Sequence, residues 1–421
     1  MTHSTREGPA GNADDGGAKH GPATGISPPR QHLAAPAQLP ALTSTRFFGA
    51  LMIMVFHTTA DTPLLAGAPF WLRSLITSGY VWVGYFFVLS GFILTYQYLD
   101  RFRAGAFDAR DFWLARLARI YPGHVAGFVL IFLIGLRFST LPLGPQHAAR
   151  AVTAADVGLT AVLMHAWVPT FALTYNFPSW ALSVEWFFYL LFPLLLIAAA
   201  RWPLRRVLML AAIGLAAEWT ASLVYCATAA QGWAGNTTNV NTAAIAFIKF
   251  SPALRLAEFM LGVALARVYA ERERLRLDER FGGRLIAVSM CAIAAGLLSS
   301  FAIPFALMHN VVLTIPFGAA ILGFALAPKG MVSRALSLRW LVVLGEASYP
   351  LYILHGSFVF SIYAIGWMNR VTGLEAVAGR AVLILAAICA ALLFHRYVEA
   401  PARRWIRSHG RRRGGTPAPS V

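Results

Sequence analysis

The chain has 421 residues, of which 58% are hydrophobic and only 13% charged, and its mean hydropathy is +0.61. A soluble domain carries about 25% charged residues, so this composition excludes a soluble globular protein and leaves a polytopic membrane protein. The formal net charge of +17, from 35 Lys and Arg against 18 Asp and Glu, falls in arginine clusters between apolar runs, which fits positive-inside loops on anionic lipid and not a nucleic-acid surface.

In chain order, residues 1–40 are rich in Gly, Pro, Ala and polar side chains. No apolar stretch follows Met1, so this segment is expected to be a disordered cytoplasmic tail and not a cleaved signal. Residues 41–405 form a transmembrane domain, and 406–421 a basic disordered tail; no appended soluble domain is expected. A span needs about 20 apolar residues. Runs lie near 42–60, 79–98, 118–137, 152–170, 181–200, 207–226, 246–268, 284–303, 308–327, 340–365 and 375–395. Positive charge gathers at 101–119, 201–206, 267–284, 329–339 and 396–413. Were every run to cross, the later arginine-rich loops would face outward. If one run between 138 and 180 does not cross, every basic loop and both termini are cytoplasmic. The 152–170 run carries Asp156 and closes on His165 and Pro169, so it is the one expected to be interfacial or re-entrant. The predicted fold class is therefore all-α: a polytopic transmembrane helix bundle of about ten spanning helices plus one interfacial or re-entrant segment. Cys226, Cys291 and Cys389 lie in or beside apolar spans, without disulfide or metal spacing; no metal is expected.

The first run holds the strongest chemical signal. Arg46 and His57 are eleven residues apart with an almost wholly apolar stretch between. Eleven steps of about 100° return to nearly the same helix face, about 16 Å further along. Ionisable groups inside a span are functional by default. Asp61 follows His57 by one helical turn, where a carboxylate orients an imidazole base; a plain interfacial histidine at a helix end fits the spacing equally well. Arg116 and Arg119 share a helix face at the cytoplasmic end of the third run, suited to phosphate capture or to ordinary positive-inside charge. Glu185, set among Trp180, Trp186, Phe187, Phe188 and Tyr189, must pair or face a cavity. Arg255 and Glu258, three apart, pair on one face, as a packing salt bridge or as a site. Ser90 lacks a nucleophile-elbow context and reads as a packing residue. His355 is a further imidazole within a span.

Taken in order, these segments resemble the integral membrane acyltransferase-3 family, which O-acylates sugars and related hydroxyl compounds. The matching stretches are Arg46-x10-His57, Phe86-Phe87-Val88-Leu89-Ser90-Gly91-Phe92 and Arg116-x2-Arg119-Ile120-Tyr121-Pro122. They continue with Asn176-x3-Trp180-x2-Ser183-x-Glu185-x2-Phe188-Tyr189, Arg255-Leu256-x-Glu258-Phe259-x2-Gly262, Leu344-Gly345-x2-Ser348-Tyr349-x-Leu351-Tyr352-x2-His355 and Glu399-x-Pro401. One departure is Ala181, where the family often has serine after the tryptophan.

The resemblance implies ten transmembrane helices, an acyl-CoA donor reaching the site from the cytoplasm, His57 as catalytic base, and donor contacts from Arg116 and Arg119. Arg46, Asp61 and Glu185 complete the catalytic candidates; Asn176, Trp180, Arg255, Glu258 and His355 are the substrate-binding candidates. The expected reaction moves an acyl group, acetyl being the commonest family choice, from acyl-CoA to a hydroxyl of a carbohydrate or glycoconjugate acceptor. The expected location is a bacterial-type inner (plasma) membrane. A transporter or flippase for lipid-linked saccharides is the competing class, since buried charges and proline-interrupted helices suit it too.

Overall fold

Prolines and polar caps set where many of the helices begin. The computed structural model describes residues 37–60, 62–138, 153–234, 242–364, 366–367 and 370–410. The tail expected over 1–40 falls almost wholly outside these residues, as do Asp61 and the last eleven residues of the basic tail. Among the described residues every regular element is helical.

Pro40 occupies the first turn of α1 (Pro40–Thr59), where its missing N–H is no loss. The short α2 (Phe70–Thr77) leads into α3 (Trp82–Arg103) and then α4 (Ala109–Phe138). The doubtful 152–170 run forms α5 (Ala154–Ala161), whose eight residues span about 12 Å against a hydrocarbon core of about 30 Å. Asp156, which marked this run as anomalous, closes a capping box with Thr153 at its start. A non-helical stretch with two short 3₁₀ turns then leads to α6 (Trp180–Arg201) and α7 (Leu204–Thr228).

The 246–268 run does not form one continuous helix. It divides into α8 (Ala243–Phe250) and α9 (Pro252–Ala270), because the residue before a proline is pushed out of helical geometry; Ser251 is extended. Next come α10 (Glu279–Leu298), α11 (Phe305–Asn310) and α12 (Thr314–Leu326). The short α13 (Met331–Leu336) and α14 (Arg339–Glu346) precede α15 (Ser348–Ala364) and α16 (Gly373–Phe394). A π-helical turn at His395–Glu399 joins α16 to α17 (Ala400–Gly410), which carries helix five residues past the boundary drawn at 405.

Among the described residues, seven helical stretches are long and apolar enough to cross a membrane: Phe70–Arg103, Ala109–Arg137, Phe177–Arg201, Leu204–Thr228, Glu279–Leu298, Phe305–Leu326 and Gly373–Trp405. The chain is an integral membrane protein. The three longest helices outside that set are α1, α9 and α15. They are also the ones that carry Arg46 with His57, Arg255 with Glu258, and His355. α15 is short, at 17 residues, while α1 and α9 carry charged and polar candidate residues within their length.

The interior is built around α3 and α9, which make the most extensive helix–helix contact in the chain. Gly91 and Gly262 lie at their crossing. A Cβ added at Gly262 would stand 2.7 Å from the Phe92 nitrogen and 3.0 Å from the Gly91 Cα, so only glycine permits this backbone-to-backbone approach. Leu194, Ile213, Val288 and Val382 are among the large apolar side chains that α6, α7, α10 and α16 leave on the outer surface, as lipid contact requires.

Candidate active site

His57 stands in the last turn of α1. Its ring lies nearly parallel to that of His355 on α15, with centroids 5.3 Å apart and planes at 27°. Phe177 touches both imidazoles, with centroids 4.6 Å from His57 and 5.5 Å from His355. The turn that carries Phe177 is tied to α15. Asn176 Nδ2 donates to the Ile353 carbonyl at 2.9 Å, and the Tyr352 hydroxyl donates to the Pro178 carbonyl at 3.0 Å. Those bonds hold a strained approach, for Tyr175 has a left-handed backbone (φ 62°) of a kind that costs roughly 1–3 kcal/mol. The next residue along α1 is fixed as well: Arg380 Nε, from α16, donates to the Thr58 carbonyl at 2.9 Å. Lys249 brings a cation to this level. Its Nζ packs over Phe250 and Phe305 at 5.0 and 5.2 Å, within electrostatic reach of His57.

A second group gathers around Glu185 of α6. Its carboxylate accepts hydrogen bonds from the Tyr189 hydroxyl and from Ser90 Oγ, the latter at 3.2 Å. Arg46 lies within electrostatic reach of Arg119, Glu185, Glu399 and Tyr189, and Tyr189 in turn of Arg116 and Arg119. Three guanidiniums from α1 and α4 thus lie in the neighbourhood of the Glu185–Tyr189 pair. Arg116 is buried, and its Nε has no hydrogen-bond partner among the described residues. Glu399 is engaged elsewhere, by His395 at 2.9 Å and Arg403 at 3.6 Å.

The third group is an ion cluster between α7 and α9. Arg255, fully buried, places Nε 3.1 Å from Glu258 Oε2 and Nη1 3.8 Å from Glu218 Oε1. Nη1 also donates to Asn310 Oδ1 at 2.8 Å. Asn310 Nδ2 donates to the Ile248 carbonyl at 2.7 Å, which ties α11 to α8. Phe87 touches both this cluster and Trp180, with the Arg255 guanidinium 5.3 Å and the Trp180 ring 6.0 Å from its ring centroid.

The sequence candidates therefore fall into three groups and not one. His57 and His355 meet, with Asn176 beside them as a clamp on the turn. Arg46, Arg116, Arg119 and Glu185 meet at the opposite part of α1. Arg255 and Glu258 form the ion cluster, and Trp180 packs between groups. Asp61 lies outside the described residues. Sequence reading missed Glu218, Lys249, Phe177, Asn310 and Arg380, and named Tyr189 only as a neighbour of Glu185. Glu218 was the detectable one, a single charge within an apolar run, and Arg380 shares its run only with Glu375 at the start.

Apolar helices that enclose imidazoles, guanidiniums and carboxylates on their inner faces define an integral membrane protein built for chemistry on polar molecules. The model of the acyltransferase-3 family, described as an acyltransferase domain, matches residues 39–396. The chain belongs to that family and is an O-acyltransferase. It is 29% identical over 400 residues to the acyltransferase MdmB of Streptomyces mycarofaciens, covering 91% of this chain and 95% of that protein. It is 25% identical over 399 residues to the O-acetyltransferase OatA of Staphylococcus aureus, covering 89% and 58% respectively. A Bacillus subtilis protein provisionally named peptidoglycan O-acetyltransferase YrhL is 24% identical over 338 residues, covering 75% and 48%. The chain thus spans nearly all of MdmB but about half the length of the other two. No solved structure matches it.

Proposed function

We propose that the chain moves an acyl group, acetyl in the first instance, from acyl-CoA to a hydroxyl of a carbohydrate or glycosylated acceptor, with His57 as general base. The observation that carries this reading is the division of α1: an imidazole pair at one end and a guanidinium cluster about 16 Å away at the other, within a chain of an acyltransferase family. The cluster of Arg46, Arg116 and Arg119 fits the phosphates of a CoA donor, since guanidinium forks bind phosphate oxygens in pairs. At that distance Arg46 serves the donor and not the reacting carbonyl.

In this reading the acceptor oxygen attacks the thioester carbonyl as His57 removes its proton. The carbon–sulfur bond breaks, and the leaving sulfur takes the proton back from His57. Lys249, within electrostatic reach of His57, is the cation that would offset charge on the carbonyl oxygen. Trp180, Asn176 and the Arg255–Glu258 pair shape the acceptor side; Glu185 orients the donor arginines. We further read α1, α9 and α15 as crossing the membrane along with the seven apolar stretches, which makes ten spans and leaves both termini cytoplasmic.

The test is transfer of label from radiolabelled acetyl-CoA to glycan by the purified protein. His57→Ala is expected to lower turnover by about 10²–10⁴-fold at an unchanged level in the membrane. Near-normal turnover of this variant removes His57 as base. Movement of lipid-linked saccharide without any acylation favours a transporter instead.

A further inference from the structure

His355 differs from His57 in how its two nitrogens are committed. Nδ1 lies in hydrogen-bond contact with the backbone carbonyl of Tyr352. A carbonyl oxygen only accepts, so Nδ1 carries the proton. The other nitrogen, Nε2, is then a bare lone pair. It is buried, on a residue with 0% exposure, and has no hydrogen-bond partner among the described residues. A buried acceptor left unpaired is unfavourable by its full desolvation, so such an atom points to a donor that arrives during function.

The neighbouring side chain able to supply a donor is His57. The ring centroids are 5.3 Å apart. Turned edge to edge at that separation, two imidazoles bring their facing nitrogens to about 3 Å, the length of an N–H hydrogen bond. His57 is partly exposed and touches His355, Phe56 and Phe177 through ring contacts, whereas His355 is held by the Tyr352 carbonyl and packs against Phe177. One ring is thus fixed in tautomer and orientation, and a rotation of the other about its side-chain bonds would bring the two nitrogens together.

We propose that His355 is the positioning residue of the site: its Nε2 accepts a hydrogen bond from one nitrogen of His57, so that the other nitrogen faces the acceptor hydroxyl. The inference rests on the reading of His57 as general base. When the hydroxyl proton moves to His57, the imidazolium formed has two N–H groups, one directed at the departing sulfur and the other at His355 Nε2. No proton needs to pass to His355. Its contribution is the hydrogen bond to a charged donor, the role a carboxylate plays in a serine-protease triad, performed here by a neutral ring.

Two substitutions separate this role from a merely structural one. His355→Asn sets an amide N–H where Nδ1 was, which keeps the Tyr352 contact and deletes the acceptor. His355→Gln sets an amide oxygen near the position of Nε2, which keeps the acceptor and gives up the Tyr352 contact. A hydrogen bond to a charged group carries roughly ten- to hundredfold in rate. The expected order in kcat is therefore wild type, then His355→Gln, with His355→Asn at least about tenfold below it. Equal rates, or a faster His355→Asn, overturn the proposal. A second measurement needs neither His355 variant nor donor: solid-state NMR of the protein labelled with ¹⁵N-histidine in lipid. An N–H···N coupling between two rings, absent from a His57→Ala sample, is the expected result. Ring nitrogens that show no such coupling overturn the proposal, even where folding of the variants fails. Because this arm uses no acyl-CoA, a protein inert toward acyl-CoA overturns the reading of the reaction and leaves the His355 result to be decided separately.

Discussion

Removal of the Arg255 guanidinium offers the sharpest test of how the interior is held together. Arg255 has no exposed surface, and it sits 3.1 Å from one buried carboxylate and 3.8 Å from another. Arg255→Met fills similar volume but leaves Glu218 and Glu258 with no cation between them. Breaking a buried ion pair from one side costs about 3–5 kcal/mol, because the remaining charge stays desolvated. Here two carboxylates are stranded, so the loss should fall at the upper end of that range. Reversible unfolding in mixed micelles, followed by tryptophan fluorescence, reads it. The variant Arg255→Met/Glu218→Gln/Glu258→Gln should recover most of the loss, since only neutral groups of the same shape are then buried. Stability of Arg255→Met within about 1 kcal/mol of wild type, the range of an exposed pair, refutes the argument. The triple variant also separates architecture from chemistry: acylation that returns with stability makes the cluster a brace, and a stable but inactive protein makes it part of the acceptor site.

Arg116→Ala should raise the KM for acyl-CoA by roughly tenfold or more, the worth of one charge-assisted hydrogen bond, with the acceptor KM unchanged in steady-state kinetics. Gly262→Val should destabilise by at least about 1–3 kcal/mol through overpacking, measured by the same unfolding assay. Gly283, on α10 with nothing within 4 Å of an added Cβ, is the control: Gly283→Ala should be neutral or stabilising by about 0.5–1 kcal/mol. Arg380→Met releases the Thr58 carbonyl beside His57, and kcat should fall by about tenfold with little change in donor KM.

The helices were legible because apolar runs of span length repeat with charged loops between them, and Asp156 marked the run that became the short α5. The break at Ser251–Pro252 was also written in the chain, as a proline inside an apolar run, although that run was read as continuous. The contents of the site were legible only where partners share a helix face, as Arg255 and Glu258 do. Glu218 meets Arg255 from another helix, and Asn310 reaches it across 55 residues of chain. His57 and His355 are drawn together by the packing of α1 on α15, which no spacing rule expresses. Lys249 lies near the edge of the 246–268 run, and only the fold sets it against Phe250 and Phe305. The grouping of Arg46 with the α4 arginines, and not with His57, follows from helix rise alone and needed only the positions of the neighbours.

The seam between α3 and α9 has a consequence for traffic through the protein. Two backbones in such close register act as a keel: neither helix can slide or tilt against the other without a collision of main-chain atoms. Molecules as large as a nucleotide thioester and a glycan need the bundle to breathe, and that movement has to be borne elsewhere. The flank formed by α15 and α16, where α16 leaves most of its length facing outward and a π-turn interrupts the regular α-helical ladder before α17, is where the doors are expected to hang.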